Sequence, residues 1–362
     1  MTLSSADAEA LIVRAKALRI QGQLIAAEKL LRQAAATGHI EAIAELGQQL
    51  FLSPPPAPEF LLEEGVKHVF AAANAGHAMS ANLASLIAAH DPTIPGHWQC
   101  ALDFAARAAV AGFIPAQFAL AFLSADREAI MRLSHRETLG PEIWQKLRER
   151  VDVPALLSAP YNLRVLCTSP YIVMAEEFIS PAMCDWIMRR ARPALKKGKG
   201  YVPEPGKPVR RTNSEVEYGF PELDLIQTAV RHRIAEVTGM PHGGLEPPSV
   251  FHYAPGEEFT AHHDYLNTDI PVLAAEIART GQCVFTALVY LNDDFSAGET
   301  NFVDIGIKAK GKKGDAIIFR NVDEKGVPDP RTRHAGLPPT HGNKWLFSQF
   351  VRNTKQAHKL PG

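Results

Sequence analysis

SVFHYAPGEEFTAHHDYL, residues 249–266, reads as a short strand, a Pro-Gly turn and a second strand. Downstream, VFTALVYLN (284–292), GDAIIFR (314–320) and KWLFSQFVR (344–352) are further short apolar strands set off by Gly, Pro, Asn or Asp. Upstream, YIVMAEEF (171–178) predicts a strand. SPAMCDWIMRRARPAL (180–195) predicts a helix capped by Ser180 with Pro181 in its first turn, and LDLIQTAVRHRIAEVTG (223–239) a second helix closed by Gly239. Many short strands in one unit predict a sandwich or a jelly-roll barrel, here with flanking helices.

The first third of the chain has a different texture. It is Ala-rich, with apolar residues returning every three or four positions, as in AEKLLRQAAATG and ALDFAARAAVAG, so residues 5–130 are expected to be all-α. Gly38, Gly76 and Gly112, spaced 38 and 36 residues apart, each follow an Ala-rich helix end. A constant period of that size predicts helix pairs that stack, because one pair alone does not bury its apolar face. Helical bundles also place Gly after helix ends, which is the plainer alternative. SPPPAPEF (53–60) interrupts the first two copies. Residues 131–168, with PEIWQKLRERV (141–151) and the turn-rich LLSAPYNLR (156–164), are expected to be a helical linker. The fold class predicted is α+β multidomain: an N-terminal helical repeat domain, then a double-stranded β-helix (jelly-roll) domain over 169–355. A length of 362 residues suits two domains.

Composition narrows the functional classes. Hydrophobic residues at 46% and charged residues at 21% are ordinary for a folded protein. With 38 basic and 39 acidic residues there is no global field to attract nucleic acid or an anionic membrane. The start, MTLSSADAEA, lacks the charged and apolar regions of a secretory signal, and no run of about 18 apolar residues occurs, so the expectation is a soluble cytoplasmic protein. Cys100, Cys167, Cys184 and Cys283 form no CxxC pair and are expected to be buried free thiols. Any bound metal must therefore draw on His, Asp and Glu.

His262 and Asp264, two apart on an expected strand, leave the same face, while His263 points the other way. His334, in RTRHAGLPP, offers a third ligand. Two imidazoles and one carboxylate form the facial set that leaves three positions of an octahedral iron open. On these residues alone a solvated His beside an Asp is the alternative. Lys344, in GNKWLFSQFVR, is expected on a strand next to the one bearing His334. Inside a barrel its ammonium would require an anion; the alternative is a turn residue leading into an edge strand.

The runs YAPGEEFTAHHDY, FTALVYLNDDFSAGETNF, KKGDAIIF, DPRTRHAGLPPTHGNKW and VRRTNSE resemble the catalytic domain of prolyl 4-hydroxylases, within the 2-oxoglutarate/Fe(II) dioxygenases. The resemblance implies Fe(II), 2-oxoglutarate and O2 as cofactors and cosubstrates, with ascorbate as a further cofactor. It implies His262, Asp264 and His334 as iron ligands, Lys344 as partner of the distal 2-oxoglutarate carboxylate, and Tyr253 and Thr286 as hydroxyls on the same cosubstrate. Tyr and Thr are also ordinary strand residues. An acidic residue at Asp264 points to hydroxylation rather than the halogenation of related enzymes with a small residue there. Phe350 stands where the family commonly has Trp, and the run NTDIPVLAAEIARTG (267–281) also departs from the pattern, both on the substrate side. Arg210 and Arg211 are candidates to orient a substrate carboxylate or carbonyl, or else a solvated basic pair.

The implied substrate is a prolyl, or other aliphatic, residue in a peptide or protein. Hydroxylation of a free amino acid or small metabolite, and a non-catalytic interaction module, are the alternatives. The N-terminal units resemble Sel1-like repeats, relatives of the tetratricopeptide repeat, in A-x-x-G-x-x-x-A at Ala35, Gly38, Ala42 and at Ala109, Gly112, Ala116, with Ser80 replacing the last Ala in the middle copy. That likeness implies a surface for a protein partner or substrate.

Overall fold

A computed structural model describes residues 4–52, 59–158, 162–198, 201–204 and 207–353. The expected interruption at 53–60 lies outside the described residues over 53–58. The chain divides into two compact units between Val153 and Pro154.

The first unit is helical. Consecutive helices pack side by side, among them the pairs Leu24–Ala35 with Ile40–Phe51, Glu59–Asn74 with Ala78–His90, and His97–Val110 with Ile114–Leu123. The turn within each pair carries a glycine in the left-handed region: Gly38 at φ 81°, Gly76 at 91° and Gly112 at 87°. An L side chain there would be strained, so the periodic glycines record one turn geometry used three times. Ala8, Ala15, Ala27, Ala34 and Ala42 are fully buried around Leu31, Leu46 and Leu50; their small side chains let the helix axes approach closely.

The second unit holds the strands. In chain order these are β1 (Asn162–Thr168), β2 (Tyr171–Glu176), β3 (Lys196–Lys197), β4 (Tyr201–Glu204), β5 (Lys207–Val209), β6 (Ser214–Glu217), β7 (Ser249–Tyr253) and β8 (Phe259–His262). They continue with β9 (Cys283–Tyr290), β10 (Ser296–Ala297), β11 (Thr300–Phe302), β12 (Ile307–Ala309), β13 (Ala316–Arg320), β14 (His334–Gly336), β15 (Pro339–His341) and β16 (Lys344–Arg352). The larger sheet has the order β1-β2-β13-β9-β16-β7-β6-β3 and the smaller β12-β11-β14-β8.

One core joins the two sheets. Ile172, Met174, Phe251, Leu288, Ile317, Phe319 and Leu346 of the larger sheet pack with Phe259, Phe302 and Ala309 of the smaller. Strand alternation sorts each side chain to one face. On β16, Lys344, Leu346, Ser348 and Phe350 line the interior cleft. Gln349, on the opposite face, accepts a hydrogen bond at 2.8 Å from Arg231 of helix Leu225–Thr238, one of the helices behind the sheet.

Two expectations are corrected. The segment 131–168 is not one connector: helix Pro141–Glu149 packs on His97–Val110, whereas 162–168 form β1, hydrogen-bonded to β2. The strand of Lys344 is not beside that of His334. β16 lies between β9 and β7 in the larger sheet and β14 between β11 and β8 in the smaller, because the chain crosses between sheets through β15. Lys344 therefore approaches the site across the core.

Candidate active site

The chemistry-bearing residues meet at one end of the cleft between the sheets. His262 ends β8, and His334 begins β14 directly opposite it in the antiparallel register. Their ring centroids are 4.5 Å apart. Asp264 follows the end of β8, yet its carboxylate returns to the same side: Oδ1 lies 3.4 Å from His262 Nε2 and Oδ2 3.5 Å from His334 Nε2. One ligand atom from each of the three falls within 4.8 Å of the others, and among the described residues no other group of three His, Cys, Asp or Glu does so. His263 is turned away to Pro330, 3.0 Å from its carbonyl.

Local backbone sets the chemistry of each imidazole. His262 Nδ1 lies 2.8 Å from the carbonyl of Thr260, and His334 Nδ1 lies 3.0 Å from that of Thr332. A carbonyl only accepts, so each Nδ1 carries the proton and each Nε2 presents a lone pair to the cluster. Phe259 stacks on His262 with ring centroids 3.7 Å apart, and Phe319 meets His334 edge-on at 4.8 Å. These contacts fix the ring planes. Burial pulls His334 down to about 4, which keeps it neutral, whereas burial of Asp264 is outweighed by the two histidines and Thr286, leaving its carboxyl at about 2. Two imidazole nitrogens and one carboxylate oxygen on side chains no more than 5% accessible fit a divalent metal with open positions.

Lys344 lines the same cleft from the larger sheet, opposite the histidines of the smaller. It is fully buried opposite Tyr253 in the strand register, with Nζ 5.0 Å from that ring centroid. Among the described residues Nζ has no hydrogen-bond partner, and burial lowers its pKa to about 7. Gly336 on β14 leaves room for Tyr253: a Cβ there would stand 3.1 Å from the Tyr253 hydroxyl. A buried, unpartnered ammonium beside a hydroxyl is a receptor for an anion.

The structure separates the two expected hydroxyl donors. Tyr253 lines the cleft, whereas the Thr286 hydroxyl is taken by Asp264, donating to Oδ2 at 2.7 Å. A threonine that lines the cleft is Thr300 on β11, which sequence reasoning passed over. Its signal was available in SAGETNF, a strand begun by Thr after a Gly-containing turn. Ser348, four residues beyond Lys344 and on the same strand face, was also passed over. Phe350 lines the cleft. Arg210 is exposed, its side chain 72% accessible, and Arg211 is engaged: it pairs with Glu215 and lies over Phe251 at 4.5 Å and Phe259 at 4.7 Å.

All four cysteines are free thiols; Cys184 and Cys283 are buried, whereas Cys100 and Cys167 are only partly so. No helix among the described residues is long and apolar enough to cross a membrane.

With this geometry in place the chain can be set beside known proteins. Residues 248–352 match the 2OG-Fe(II) oxygenase superfamily. Prolyl 4-hydroxylase 1 of Arabidopsis thaliana is 32% identical over 209 residues, covering 52% of this chain and 71% of that protein. The chain belongs to the 2OG-Fe(II) oxygenase superfamily, with prolyl 4-hydroxylases as relatives of its strand-rich unit. Prolyl 4-hydroxylase subunit alpha-1 of Rattus norvegicus is 28% identical over 212 residues, 58% of this chain but only 39% of that subunit's length. The crystal structure of a viral collagen prolyl hydroxylase from Paramecium Bursaria Chlorella virus-1, in complex with 2OG, aligns at a TM-score of 0.41 and 24% identity, covering 52% of this chain and 99% of that one. The chain is a 2-oxoglutarate- and Fe(II)-dependent dioxygenase.

Proposed function

We propose that this dioxygenase hydroxylates a prolyl residue in a peptide or protein, with succinate and carbon dioxide as coproducts. The observation that carries the reading is the buried His262–Asp264–His334 cluster in a cleft that also holds the unpartnered Lys344 ammonium. Bound there, Fe(II) and 2-oxoglutarate supply the oxidising chemistry, in which dioxygen is consumed and the 2-oxo acid is decarboxylated.

The chain's own residues hold and shield. His262 and His334 offer Nε2 lone pairs, their Nδ1 protons committed to backbone carbonyls, and Asp264 offers the single negative charge. Lys344 takes the distal carboxylate of 2-oxoglutarate, with the Tyr253 and Thr300 hydroxyls lining the same cleft. Phe251, Phe259, Leu288 and Leu346 make the walls apolar, which excludes water and strengthens the ammonium–carboxylate attraction. Phe350 faces the side left for substrate. The facing sheets are read as a double-stranded β-helix, and the three helix pairs as Sel1-like repeats that dock a protein substrate or partner, supported by the repeated glycine turn.

The test presents proline-containing peptides and free amino acids with Fe(II), 2-oxoglutarate and oxygen, and follows succinate together with the mass gain of one oxygen atom. Peptide hydroxylation is expected. Oxygen appearing only on free amino acids would replace the prolyl-peptide reading, and well-folded protein that makes no succinate and shows no visible band on anaerobic addition of Fe(II) and 2-oxoglutarate would remove the catalytic one.

A further inference from the structure

Behind Asp264, two buried polar side chains form a chain that the assignments above leave without a role. Thr286 Oγ1 donates to Asp264 Oδ2 at 2.7 Å, and Asn321 Nδ2 donates to Thr286 Oγ1 at 2.9 Å. Thr286 and Asn321 are both fully buried. The strands impose the arrangement: Thr286 is paired with Phe319 between β9 and β13, and Asn321 follows the end of β13. Two backbone bonds pin Asn321, its N–H to the Val284 carbonyl at 2.9 Å and its carbonyl from Asp329 N–H at 3.0 Å.

The direction of the chain follows from donor arithmetic. A threonine hydroxyl has one proton, and a carboxylate can only accept. With the asparagine amide donating to Oγ1, the threonine proton goes to the carboxylate. The reverse amide orientation would set two acceptors against the one threonine proton and would turn the amide oxygen toward Cys283 Sγ, which now receives Nδ2–H at 3.5 Å. Asn321 thus keeps the threonine proton aimed at one oxygen of Asp264.

We propose that Thr286, held by Asn321, is a positioning residue for Asp264: by occupying Oδ2 it leaves Oδ1 to bind the metal alone, so the carboxylate takes one coordination position instead of two. This rests on the reading of His262, Asp264 and His334 as the metal site. A two-oxygen carboxylate would consume one of the three positions that a 2-oxo acid and dioxygen require together. The hydrogen bond also prevents rotation of the carboxylate about its last torsion.

The experiment measures Mn(II) affinity, by the electron paramagnetic resonance of free Mn(II), without 2-oxoglutarate, on the full chain and on Thr286→Val, Thr286→Ser and His262→Ala. Valine matches threonine in shape and lacks the donor, whereas serine keeps it. Thr286→Val is expected to weaken Mn(II) binding roughly 10–100-fold and to change the Co(II) visible spectrum, with Thr286→Ser restoring both. A Thr286→Val protein with parental Mn(II) affinity and Co(II) spectrum, alongside a His262→Ala protein that has lost binding, would overturn the positioning role. Unchanged affinity in His262→Ala would instead overturn the metal site beneath it. Should Thr286→Val not melt cooperatively, Asn321→Leu reads the same property, since it frees the threonine proton to turn away; parental affinity there also overturns the proposal.

Discussion

His262 and His334 face each other across adjacent antiparallel strands, each with Nδ1 on the carbonyl of the residue two before it in sequence. The same contact is made from two backbones: Thr260 lies on β8, whereas Thr332 ends the short 3-10 turn Pro330–Thr332 just before β14. The two Nε2 atoms thereby converge on Asp264.

Replacing either histidine with alanine removes a donor that nothing nearby replaces. We expect His262→Ala and His334→Ala each to reduce succinate formation by more than about a hundredfold, beyond the effect typical of partners one shell further out. Circular dichroism should still report a folded sheet domain. Succinate output at the parental rate in both variants would remove these residues from the site.

Lys344 gives a pH signature with a definite sign. Its pKa falls from 10.5 to about 7 on folding because burial disfavours the ammonium, so between those values the unfolded chain binds the extra proton. Ligand-free stability contributed by this residue therefore rises with pH from about 7 to 10.5, and the cost is fully present below 7. Lys344→Met should flatten that rise and raise the melting temperature without ligand, because it removes a buried charge of the right shape to replace. The same change should raise the 2-oxoglutarate requirement by roughly one to two orders of magnitude. Binding of 2-oxoglutarate above pH 7 should take up a proton, measurable by calorimetry in two buffers of different ionisation enthalpy; equal heats would defeat the assignment.

Much of this was legible beforehand where the residue type itself constrains the answer. The capping Ser180 and the αL Gly239 adopt the expected conformations, whereas His262 and Asp264 come together although β8 stops at His262 and Asp264 lies beyond the strand. The edge strand β1 was hidden because NLRVLCT is mostly exposed and carries no alternation to read. The helix Pro271–Thr280 inside the departing run buries none of its residues fully and leaves Val272 exposed, so it has no core face to read, although Pro271 at its first turn was a signal. Thr286 and Thr300 are alike in sequence; what separates them is that the Thr286 hydroxyl is taken by Asp264, a contact between distant segments that the sequence does not display.

The two arginines should behave differently. Arg210 is solvated, and Arg210→Ala is expected to leave stability and turnover within about twofold. Arg211 covers the Phe251 and Phe259 rings that wall the cleft, so Arg211→Ala should cost roughly 1–2 kcal/mol in urea unfolding and weaken substrate use through the loosened wall. Equal behaviour of the two would show that the stacking carries no energy.

Phe350 separates substrate selection from cosubstrate turnover. It shares the cleft-facing side of β16 with Lys344 and lies opposite Thr286 in the register with β9, six residues from the ammonium along the strand. An aromatic ring there presents an apolar face to whatever enters from the substrate side, without reaching the anion end. Phe350→Ala should therefore lower kcat/KM for the hydroxylated substrate by about tenfold or more, the loss expected when a buried aromatic contact is truncated. The KM for 2-oxoglutarate should stay within about twofold. Substrate-free decarboxylation should also persist, since Lys344, His262, Asp264 and His334 are untouched. Parallel losses in both measurements would mean that Phe350 supports the metal end instead, and the division of the cleft into an anion end and a substrate end would have to be redrawn.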